Sequence, residues 1–447
     1  MADIDTIVAA ATPPGRGGVA VLRLSGPNAH QIGEKAFGCL PAMRTVSLRR
    51  LLDQQGELLD EGLLICFSAS ASFTGEPVIE FQGHGSPMLV DLAIARFIEL
   101  GARQARPGEF SERAFLNGRM DLTQAEAIAD LIDADSRGAL RAAQRSLSGE
   151  FSRRIDHLLA ELIALRVSLE AAVDFPDEET DILADADVET RLTQLRDQLA
   201  SLFETARQGQ ILRDGVTVAL VGAPNAGKSS LLNALSLQES AIVTDIPGTT
   251  RDVLSVRLQL NDVAFEFRDT AGLRETDDAI ERIGIERARQ AMQQSDLVVQ
   301  VVDASLNKQA LAPLEGIEPN RQLLVLNKQD RLDSAQQIAL AEKASEAIGI
   351  SALTGQGLEH LKSALLSKAR LPGQSEGVFS ARRRHLDALQ RLDEHLRRAA
   401  EGMNQLLGVE LIAEELRLGQ RCLDEITGRY SADDLLGEIF SSFCIGK

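Results

Sequence analysis

The chain has few aromatic side chains. Its 447 residues include no tryptophan, one tyrosine and 4% aromatic residues in total, whereas 44% are hydrophobic. The cores of such a chain must be filled mainly by leucine, alanine and isoleucine, and this composition favours helix-rich packing. A chain of this length is expected to form about three domains.

Cysteine is also scarce, and long apolar stretches are missing. The four cysteines, Cys39, Cys66, Cys422 and Cys444, are scattered and lack the paired spacing of a metal site. No run of about 18 or more apolar residues occurs, and the first residues lack the basic and apolar segments of a signal peptide. We therefore expect free thiols, a cytoplasmic location and no membrane partner.

Positive charge is in deficit. Lysine and arginine number 47 against 66 acidic residues, which gives a formal net charge of -19. Because positive charge is what holds the phosphate backbone of a nucleic acid, this chain cannot bind RNA through its overall charge. A function directed at RNA would require a local basic patch or a basic partner protein.

A glycine-rich loop near the middle of the chain joins a predicted strand to a predicted helix. The segment Gly222-Ala-Pro-Asn-Ala-Gly-Lys-Ser229 follows an apolar run at 216–221. This pattern is typical of a phosphate-binding P-loop, in which Lys228 reaches the outer phosphates and the Ser229 hydroxyl ligates Mg²⁺. The N-terminus of the following helix adds a dipole that favours bound phosphate.

A second motif, Asn327-Lys-Gln-Asp330, follows a predicted strand at 323–326. The Asp330 carboxylate can accept two hydrogen bonds from guanine, one from N1–H and one from the exocyclic amine, and adenine offers no such pair. A site built on a polar match of this kind can reject the wrong partner by roughly 10⁴ or more. Ser351-Ala-Leu353, after the last predicted strand, is expected to support the base.

Two further motifs predict switch segments. Asp269-Thr-Ala-Gly272 ends a predicted strand, where Asp269 would hold Mg²⁺ through water and the Gly272 N–H would contact the γ-phosphate. Thr249 and Thr250 are switch candidates, and Thr250 is the preferred Mg²⁺ ligand of the two. The order of these motifs along the chain predicts a guanine-nucleotide domain.

Leu273 stands where Ras-like proteins place the glutamine that orients the attacking water. Hydrolysis then requires another device. The amide oxygen of Asn225, inside the P-loop, could bind a monovalent cation whose charge stabilises the transition state. Arg274 or Glu281 could orient the water, although their spacing alone favours a solvated helix face for both.

The distribution of strand-like and helix-like segments predicts three domains. Residues 1–118 alternate short strands with turns and indicate an α+β domain. Residues 119–210 and 377–447 show helical periodicity and are expected to form one discontinuous all-α domain. Residues 211–376 alternate strands and helices, as in a doubly wound sheet. The predicted fold therefore has an α/β Ras-like G domain inserted into a helical domain.

The elements expected inside these domains can be given by number. The predicted strands are at 19–24, 63–67, 216–221, 264–268, 297–302 and 323–326, with a last one before Ser351. The predicted helices include 89–100 and two helical stretches on either side of a break at 175–179.

Several stretches carry a resemblance to a known family. They are Thr6-Ile-Val-Ala-Ala-Ala-Thr-Pro-Pro-Gly-Arg-Gly-Gly18, Gly83-His-Gly85, the segment 106–122, the nucleotide motifs, and the tail Cys444-Ile-Gly-Lys447. In these stretches the chain resembles the MnmE (TrmE) family of tRNA modification GTPases over its full length. The resemblance implies that the N-terminal domain dimerises and binds 5-formyl- or 5,10-methylene-tetrahydrofolate.

The resemblance further implies a reaction and its partners. In this family a homodimer acts on tRNA together with an FAD-dependent protein, MnmG (GidA), in a heterotetramer or a larger assembly. The assembly adds an aminomethyl or carboxymethylaminomethyl group to C5 of the wobble uridine of certain tRNAs. The G domains hydrolyse GTP with Mg²⁺ and K⁺, and they pair across their nucleotide faces.

The family's functional residues match positions of this sequence. The implied K⁺ ligands are Asn225, Thr244, Ile246 and Thr249, and the implied Mg²⁺ ligands are Ser229 and Thr250. The implied catalytic residues are Glu281, which activates water, with Arg274 and Lys228. The wider GTP site comprises Asn225, Ala226, Gly227, Lys228, Ser229, Ser230, Thr244, Asp245, Ile246, Pro247, Gly248, Thr249, Thr250, Asp269, Thr270, Ala271, Gly272, Asn327, Lys328, Asp330, Ser351, Ala352 and Leu353. The implied folate ligands are Arg23, Glu80, Arg119 and Lys447, and Cys444 is a candidate functional thiol.

Simpler interpretations stay open for several of these residues. Arg23 could be an arginine at a strand edge, and Glu80 could face either a pocket or solvent. Arg119 and Lys447 could meet the acidic tail of folate or span two subunits. His84 between two glycines is more often a structural turn residue, so it is left out of the site.

Two other functions also stay open. A regulatory GTPase of ribosome assembly shares the P-loop asparagine and the apolar residue after Asp-Thr-Ala-Gly, but it would carry a basic RNA-binding segment that is not visible here. A folate-dependent one-carbon transferase could use GTP only as a structural ligand. Folate binding would separate the first alternative from the main hypothesis, and GTP turnover would separate the second.

Overall fold

The computed structural model of the chain describes residues 5–174, 186–238, 255–269, 291–305, 314, 316–333, 336–337, 346–369, 377–404, 408–429, 433–441, 443 and 446. The chain divides into two compact units. The first unit comprises Met1–Ala129 with Arg417–Lys447, and the second comprises Asp130–Leu416. Within the described ranges, no helix is long and apolar enough to cross a membrane.

A six-stranded sheet forms the centre of the first unit. Its strands are β1 (Ile7–Ala10), β2 (Gly17–Ser25), β3 (Val46–Leu52), β4 (Leu58–Phe67), β5 (Val78–Gly85) and β6 (Arg103–Gln104). They lie in the order β3-β4-β5-β2-β1-β6, and all neighbours are antiparallel except β1 and β6. The strands predicted at 19–24 and 63–67 are confirmed. The sequence analysis missed β1, β3 and β6.

Helices cover one face of this sheet. Helix α1 (Ala29–Phe37) and helix α2 (Pro87–Glu99) pack on buried apolar residues of alternate strand positions, including Leu22, Leu24, Ile79 and Phe81. Successive strand residues point to opposite faces, so the residues between them lie on the other face. The predicted helix at 89–100 is confirmed as α2.

A short helix, α3 (Glu109–Leu116), lies on the second face, where its Phe110 packs with Ile7 and Ala9. Glu109 fixes the start of this helix. Its carboxylate accepts hydrogen bonds from Arg103 Nη2 at 2.7 Å and from the Arg106 backbone N–H at 2.7 Å. Burial alone would raise the pKa of Glu109, but these bonds outweigh it and keep the pKa below its usual range.

The C-terminal part of the chain completes the first unit. Helix α4 (Leu122–Ile132) contributes Leu122 and Ala125 to a cluster with Phe440 of the last helix (Asp433–Ser441) and with Phe443. Gly446 follows the last helix in the sequence, and its backbone lies against Ala10 at the end of β1. A Cβ on Gly446 would overlap the Ala10 carbonyl oxygen.

The second unit contains most of the residues predicted to be helical, whereas residues 119–129 and 417–447 of the predicted helical domain belong to the first unit. The helices of the second unit are α5 (Arg137–Leu147), α6 (Glu150–Asp174), α7 (Ala186–Asp214) and, after the nucleotide region, a helix at Arg383–Asn404 that packs on α7. Helix Val409–Thr427 crosses into the first unit. Leucines at helical spacing, such as Leu192, Leu195 and Leu199 of α7, are buried, as the periodicity predicts.

A second six-stranded sheet carries the nucleotide motifs. Its strands are β7 (Val216–Val221), β8 (Ser255–Leu260), β9 (Val263–Asp269), β10 (Leu297–Asp303), β11 (Gln322–Asn327) and β12 (Ile348–Gly349). Their order is β12-β11-β10-β7-β9-β8. The pairs are parallel except for β8, which runs antiparallel to β9. The predicted strands are confirmed, and β8 is an edge strand that the sequence analysis missed.

The central strands β7 and β10 are apolar on both faces, as expected of a sheet covered by helices on both sides. Val218, Leu220, Val299 and Val325 lie in one core cluster, and Ala219 and Val298 lie in a second cluster on the other face. Helix α8 (Lys228–Gln238) follows β7, and helix α9 (Leu358–Lys368) follows β12. In such sheets the ligand binds at the carboxyl ends of the parallel strands.

Candidate functional site

The P-loop connects β7 to α8. At two of its glycines, both the backbone conformation and the available space disfavour any residue with a side chain. Gly222 has φ +151° and Gly227 has φ +98°, conformations that L side chains rarely adopt. A Cβ on Gly222 would overlap the carbonyl oxygen of Val301 in β10, and a Cβ on Gly227 would overlap Asn327 Nδ2. The loop backbone therefore lies directly against β10 and against the second nucleotide motif.

Lys228 begins α8 and its ammonium lies inside the curve of the loop. Its Nζ donates hydrogen bonds to the carbonyl oxygens of Gly222 at 2.7 Å and Ala223 at 3.1 Å. Ser229 is exposed in the first turn of α8, where backbone N–H groups lack partners within the helix. This combination of ammonium, hydroxyl and helix N-terminus suits a polyphosphate with Mg²⁺, as the sequence predicts.

Asn327 joins the P-loop to the segments predicted to surround the base. Its Nδ2 donates to the Ala226 carbonyl at 3.0 Å, and its Oδ1 accepts from the Lys328 N–H at 2.8 Å and the Ala352 N–H at 3.1 Å. The side chain is buried. Three separate stretches of sequence are thereby held in one arrangement.

Asp330, the predicted guanine-binding residue, is oriented by Ser351. The Ser351 hydroxyl donates to Asp330 Oδ1 at 2.6 Å, and the Ser351 side chain is buried whereas Asp330 is exposed. A carboxylate held in this way keeps acceptor capacity for two donors of one ligand edge. Ser351 thus positions the Asp330 carboxylate through this hydrogen bond.

The sequence analysis missed Asp303. This residue ends β10 and lies beside Asn327 in the parallel register of β10 and β11. Its Oδ2 accepts a hydrogen bond from Lys328 Nζ at 2.6 Å, and the same Nζ donates to the Asn225 carbonyl oxygen at 2.6 Å. The available signal was an aspartate that closes an apolar run predicted to be a central strand.

Many predicted nucleotide residues lie outside the described residues. These are Thr244, Asp245, Ile246, Pro247, Gly248, Thr249, Thr250, Thr270, Ala271, Gly272, Arg274 and Glu281, and the side chain of Asp269 lies outside them as well. Asp269 is described only as the last residue of β9. Of the predicted K⁺ ligands, only Asn225 is described, and it has a positive φ of 64°.

Two predicted folate residues meet on the first sheet. Arg23 on β2 and Glu80 on β5 face each other in register, and Arg23 Nε lies 2.8 Å from Glu80 Oε1. The Arg23 guanidinium lies 5.8 Å from the Phe73 ring centroid and 5.7 Å from that of Phe110. Since β2 is an interior strand, Arg23 is not at the sheet edge.

Of the other two predicted folate residues, the structure describes only Arg119. Arg119 is exposed and lies by the turn at Gly75, where a Cβ would come within 3.2 Å of Arg119 Cγ. Lys447 and Cys444 lie outside the described residues. Their neighbour Gly446 contacts Ala10, which pairs with Leu22, the residue before Arg23.

The predicted free thiols are confirmed for the cysteines that the structure describes. Cys39 is exposed, and Cys66 and Cys422 are buried, all without disulfide bonds. Burial raises the pKa of the Cys66 thiol to about 11, and nearby Arg49 lowers it less, so Cys66 stays protonated at neutral pH.

The P-loop, the serine in the first helical turn and the Asn-Lys-Gln-Asp motif meet at the carboxyl ends of a doubly wound sheet. They define a guanine-nucleotide-binding domain of the Ras-like class. The chain also matches two family models, "GTP-binding protein TrmE N-terminus" over residues 6–119 and "MnmE helical domain" over residues 122–444.

Similar proteins agree with these matches. The tRNA modification GTPase MnmE of Neisseria meningitidis serogroup B is 50% identical over 447 residues, which cover 100% of this chain and 99% of that protein. The protein of the same name from Stutzerimonas stutzeri is 50% identical over 450 residues, covering 99% of each chain. The chain therefore belongs to the MnmE family of tRNA modification GTPases.

Family membership confirms the predicted fold class of an N-terminal α+β domain, a helical domain and a Ras-like G domain. It also classes the chain as a GTP hydrolase of tRNA modification. The solved G domain of the T. maritima FeoB iron transporter matches 34% of this chain and 98% of its own, with 26% identity. The TM-score of this match is 0.25.

Proposed function

We propose that this chain couples K⁺-stimulated GTP hydrolysis to the modification of C5 of the wobble uridine of certain tRNAs. It uses a 5-formyl- or 5,10-methylene-tetrahydrofolate and acts in the cytoplasm with an FAD-dependent partner of the MnmG type, in a heterotetramer or larger assembly. The added group is of the aminomethyl or carboxymethylaminomethyl type. The observation that carries the proposal is the network from Lys328 and Asn327 to the P-loop, in a member of the MnmE family.

Hydrolysis requires the γ-phosphate to be bound, its charge to be neutralised and water to be oriented. Lys228 supplies an ammonium for the phosphates, and Ser229 with Thr250 would hold Mg²⁺. Asn225, Thr244, Ile246 and Thr249 would hold K⁺, which supplies the positive charge that an arginine finger gives elsewhere. Glu281 would orient the attacking water, and Arg274 would assist it, because Leu273 has no hydrogen-bonding group.

The folate site is proposed around the Arg23–Glu80 pair, on the face of the sheet that also carries α3. A carboxylate at Glu80 can accept hydrogen bonds from the adjacent amide and amine groups of a pterin, as Asp330 does from guanine. The rings of Phe73 and Phe110, which lie by the Arg23 guanidinium, offer flat apolar surface nearby. Arg119 and Lys447 carry charges that match the glutamate tail, and Cys444 is the candidate functional thiol.

An apolar surface supports a homodimer through the N-terminal domain. This surface lies on the sheet face that carries the Arg23–Glu80 pair. Val46, Leu48 and Leu63 on β3 and β4 are exposed, and β3 is an edge strand. Val46 pairs with Ile65, which pairs with Glu80, so these side chains share the face of the folate pair. A second copy that covered this surface would bury it and would stand next to Glu80.

The alternative function in ribosome assembly has no support from the family matches, which extend over residues 6–119 and 122–444 and belong to tRNA modification proteins. The net charge of -19 also fits a protein that leaves much of the tRNA binding to a partner.

Steady-state GTP hydrolysis in KCl and in NaCl, at matched ionic strength, tests the proposal. We expect strong stimulation by KCl in the natural protein and its loss in Asn225→Ala, because that variant lacks the amide oxygen. The matched control is Asn261→Ala, since Asn261 also has a positive φ but lies in the β8–β9 turn. Equal rates in the two salts would contradict the K⁺ role, and so would an equal loss of stimulation in Asn261→Ala.

A further inference from the structure

We infer that Asp303 is a positioning residue of the GTPase reaction, which acts through Lys328 on Asn225 and thereby sets the affinity for the activating monovalent cation. The inference rests on the proposed K⁺ role of Asn225. It concerns a residue that belongs to none of the predicted nucleotide motifs and that occupies the end of the central strand β10.

Asp303 is itself held firmly. Its Oδ1 accepts hydrogen bonds from the Ser305 N–H at 3.0 Å and the Ser305 hydroxyl at 2.6 Å. Next to it, the Ala304 N–H donates to the Asn327 carbonyl at 2.8 Å. The carboxylate is only 6% exposed. With Oδ1 fixed in this way, Oδ2 has a defined position for Lys328 Nζ.

Lys328 transmits this position to the P-loop. Its Nζ makes two 2.6 Å contacts, one with Asp303 Oδ2 and one with the Asn225 carbonyl oxygen. Both Lys328, with φ +65°, and Asn225, with φ +64°, adopt a backbone conformation that is uncommon for non-glycine residues. Such conformations persist where the surroundings enforce them. The hydrogen bond from Lys328 is a direct restraint on the peptide group that follows Asn225.

The charge of Asp303 matters as much as its hydrogen bond. An ammonium 2.6 Å from the Asn225 carbonyl would repel a cation bound to the Asn225 side chain, and Asp303 neutralises it. Burial alone would raise the pKa of Asp303, but the hydrogen bonds from Lys328 and Ser305 outweigh it and keep the pKa below its usual range. The carboxylate is therefore ionised at neutral pH.

Asp303→Asn tests the inference, because it keeps the shape and removes the charge. Two responses to KCl are measured: the GTPase rate, and the rise in the thermal unfolding temperature of the GDP·Mg²⁺-loaded protein. For each response, the half-saturating KCl concentration, which gives half of the full effect, is determined. Choline chloride keeps the ionic strength constant. We expect both half-saturating concentrations to rise roughly tenfold, the scale of a hydrogen bond to a charged group. We expect the rate at saturating KCl and the Kd for GDP to change less than about threefold, because the Asn327 and Asp330 contacts remain.

Asp296→Asn is the matched structural control. Asp296 directly precedes β10 at its other end and accepts hydrogen bonds from the Thr217 N–H and hydroxyl. We expect this variant to lose thermal stability without any change in the half-saturating KCl concentration. Ser305→Ala, which releases Oδ1 of Asp303, provides a milder variant in case Asp303→Asn folds poorly, and we expect an intermediate rise.

The outcomes separate this inference from the proposed function. If the natural protein gives no response to KCl, the proposed K⁺ role fails and the inference fails with it. If the natural protein responds but Asp303→Asn and Ser305→Ala keep its half-saturating concentration, the inference alone is wrong. The inference would also be wrong if Asp296→Asn raised the half-saturating KCl concentration as much as Asp303→Asn does, since the role of Asp303 would then be purely structural.

Discussion

At the scale of single residues, the register between β2 and β5 brings Arg23 and Glu80 together. They are 57 positions apart in the chain, yet they face each other across β2 and β5 and form a half-buried ion pair at 2.8 Å. Ion pairs that are partly open to water contribute little to stability. The pairing therefore contributes little to holding the sheet, which already has its ladder of backbone hydrogen bonds. Under the proposed function, the pair positions the folate.

Glu80→Gln should weaken the binding of 5-formyl-tetrahydrofolate at least about tenfold, because an amide accepts one fewer charge-assisted hydrogen bond from the pterin. Isothermal titration calorimetry measures the change. Glu61→Gln is the matched control, since Glu61 also pairs with an arginine, Arg50, on the neighbouring strand. Unchanged affinity in Glu80→Gln would show that the pterin is bound elsewhere.

At the scale of elements, the hairpin of β8 and β9 joins the nucleotide sheet to the helical region within the second unit. The Asp262 carbonyl in its turn accepts a hydrogen bond from the Gly138 N–H of α5 at 3.1 Å. Arg257 of β8 forms a 2.6 Å ion pair with Asp135. The other end of the hairpin leads in sequence to both predicted switch segments. It thus connects those segments to the helical region through a hydrogen bond and an ion pair.

A second junction lies where the chain enters and leaves the nucleotide sheet. The buried carboxylate of Asp130 accepts hydrogen bonds from Arg213 Nε, at the end of α7, and from Arg382 Nη2, on the returning chain, both at 2.8 Å. The Ser380 hydroxyl donates to its other oxygen at 2.5 Å. One carboxylate therefore ties the two connections of the inserted domain together.

Gly138→Ala should loosen the hairpin from α5. A Cβ at this position would overlap the Asp262 carbonyl oxygen, and such overpacking costs about 1–3 kcal/mol, against a gain of up to about 1 kcal/mol in helix propensity. We expect a net loss of stability, measured as a lower urea midpoint than that of the natural protein. Gly437→Ala is the control, because no atom of the described residues outside its own helix lies within 4 Å of its Cβ. A Gly138→Ala variant as stable as that control would contradict the proposed contact.

At the scale of the whole molecule, the proposed homodimer depends on an apolar surface that is exposed to solvent in a single copy of the chain. Leu48 on the edge strand β3 is 58% exposed beside Val46 and Leu63. Exposed apolar residues that cluster on one sheet face indicate an interaction site rather than ordinary surface. The negative net charge acts against association in general, so a dimer would need this local apolar contact.

Leu48→Lys should shift the protein from dimer to monomer, because a charge would be buried at the centre of the proposed interface. Light scattering coupled to size exclusion, over a range of concentrations, measures the molar mass. Leu411→Lys is the matched control, since Leu411 is also 58% exposed but lies on a helix of the second unit. A monomeric natural protein, or a dimeric Leu48→Lys variant, would rule out this interface.

The sequence by itself determined the chemistry of the nucleotide site and most of its strands. Glycine, lysine and serine at this spacing are typical of a P-loop, and the short apolar runs before the motifs favour buried strands. These signals are local, because the residues involved are neighbours in the chain and the hydrogen bonds that shape the loop are short-range.

Tertiary structure alone decided the contacts between distant segments. The pairing of Arg23 with Glu80, the edge strand β8, and the link from Asp303 through Lys328 to Asn225 each depend on strand order and register. Register is set by the packing of whole faces against helices, which no single segment encodes. The polar groups of such contacts look like ordinary surface residues in the sequence. Only the folded sheets bring their atoms within hydrogen-bonding distance.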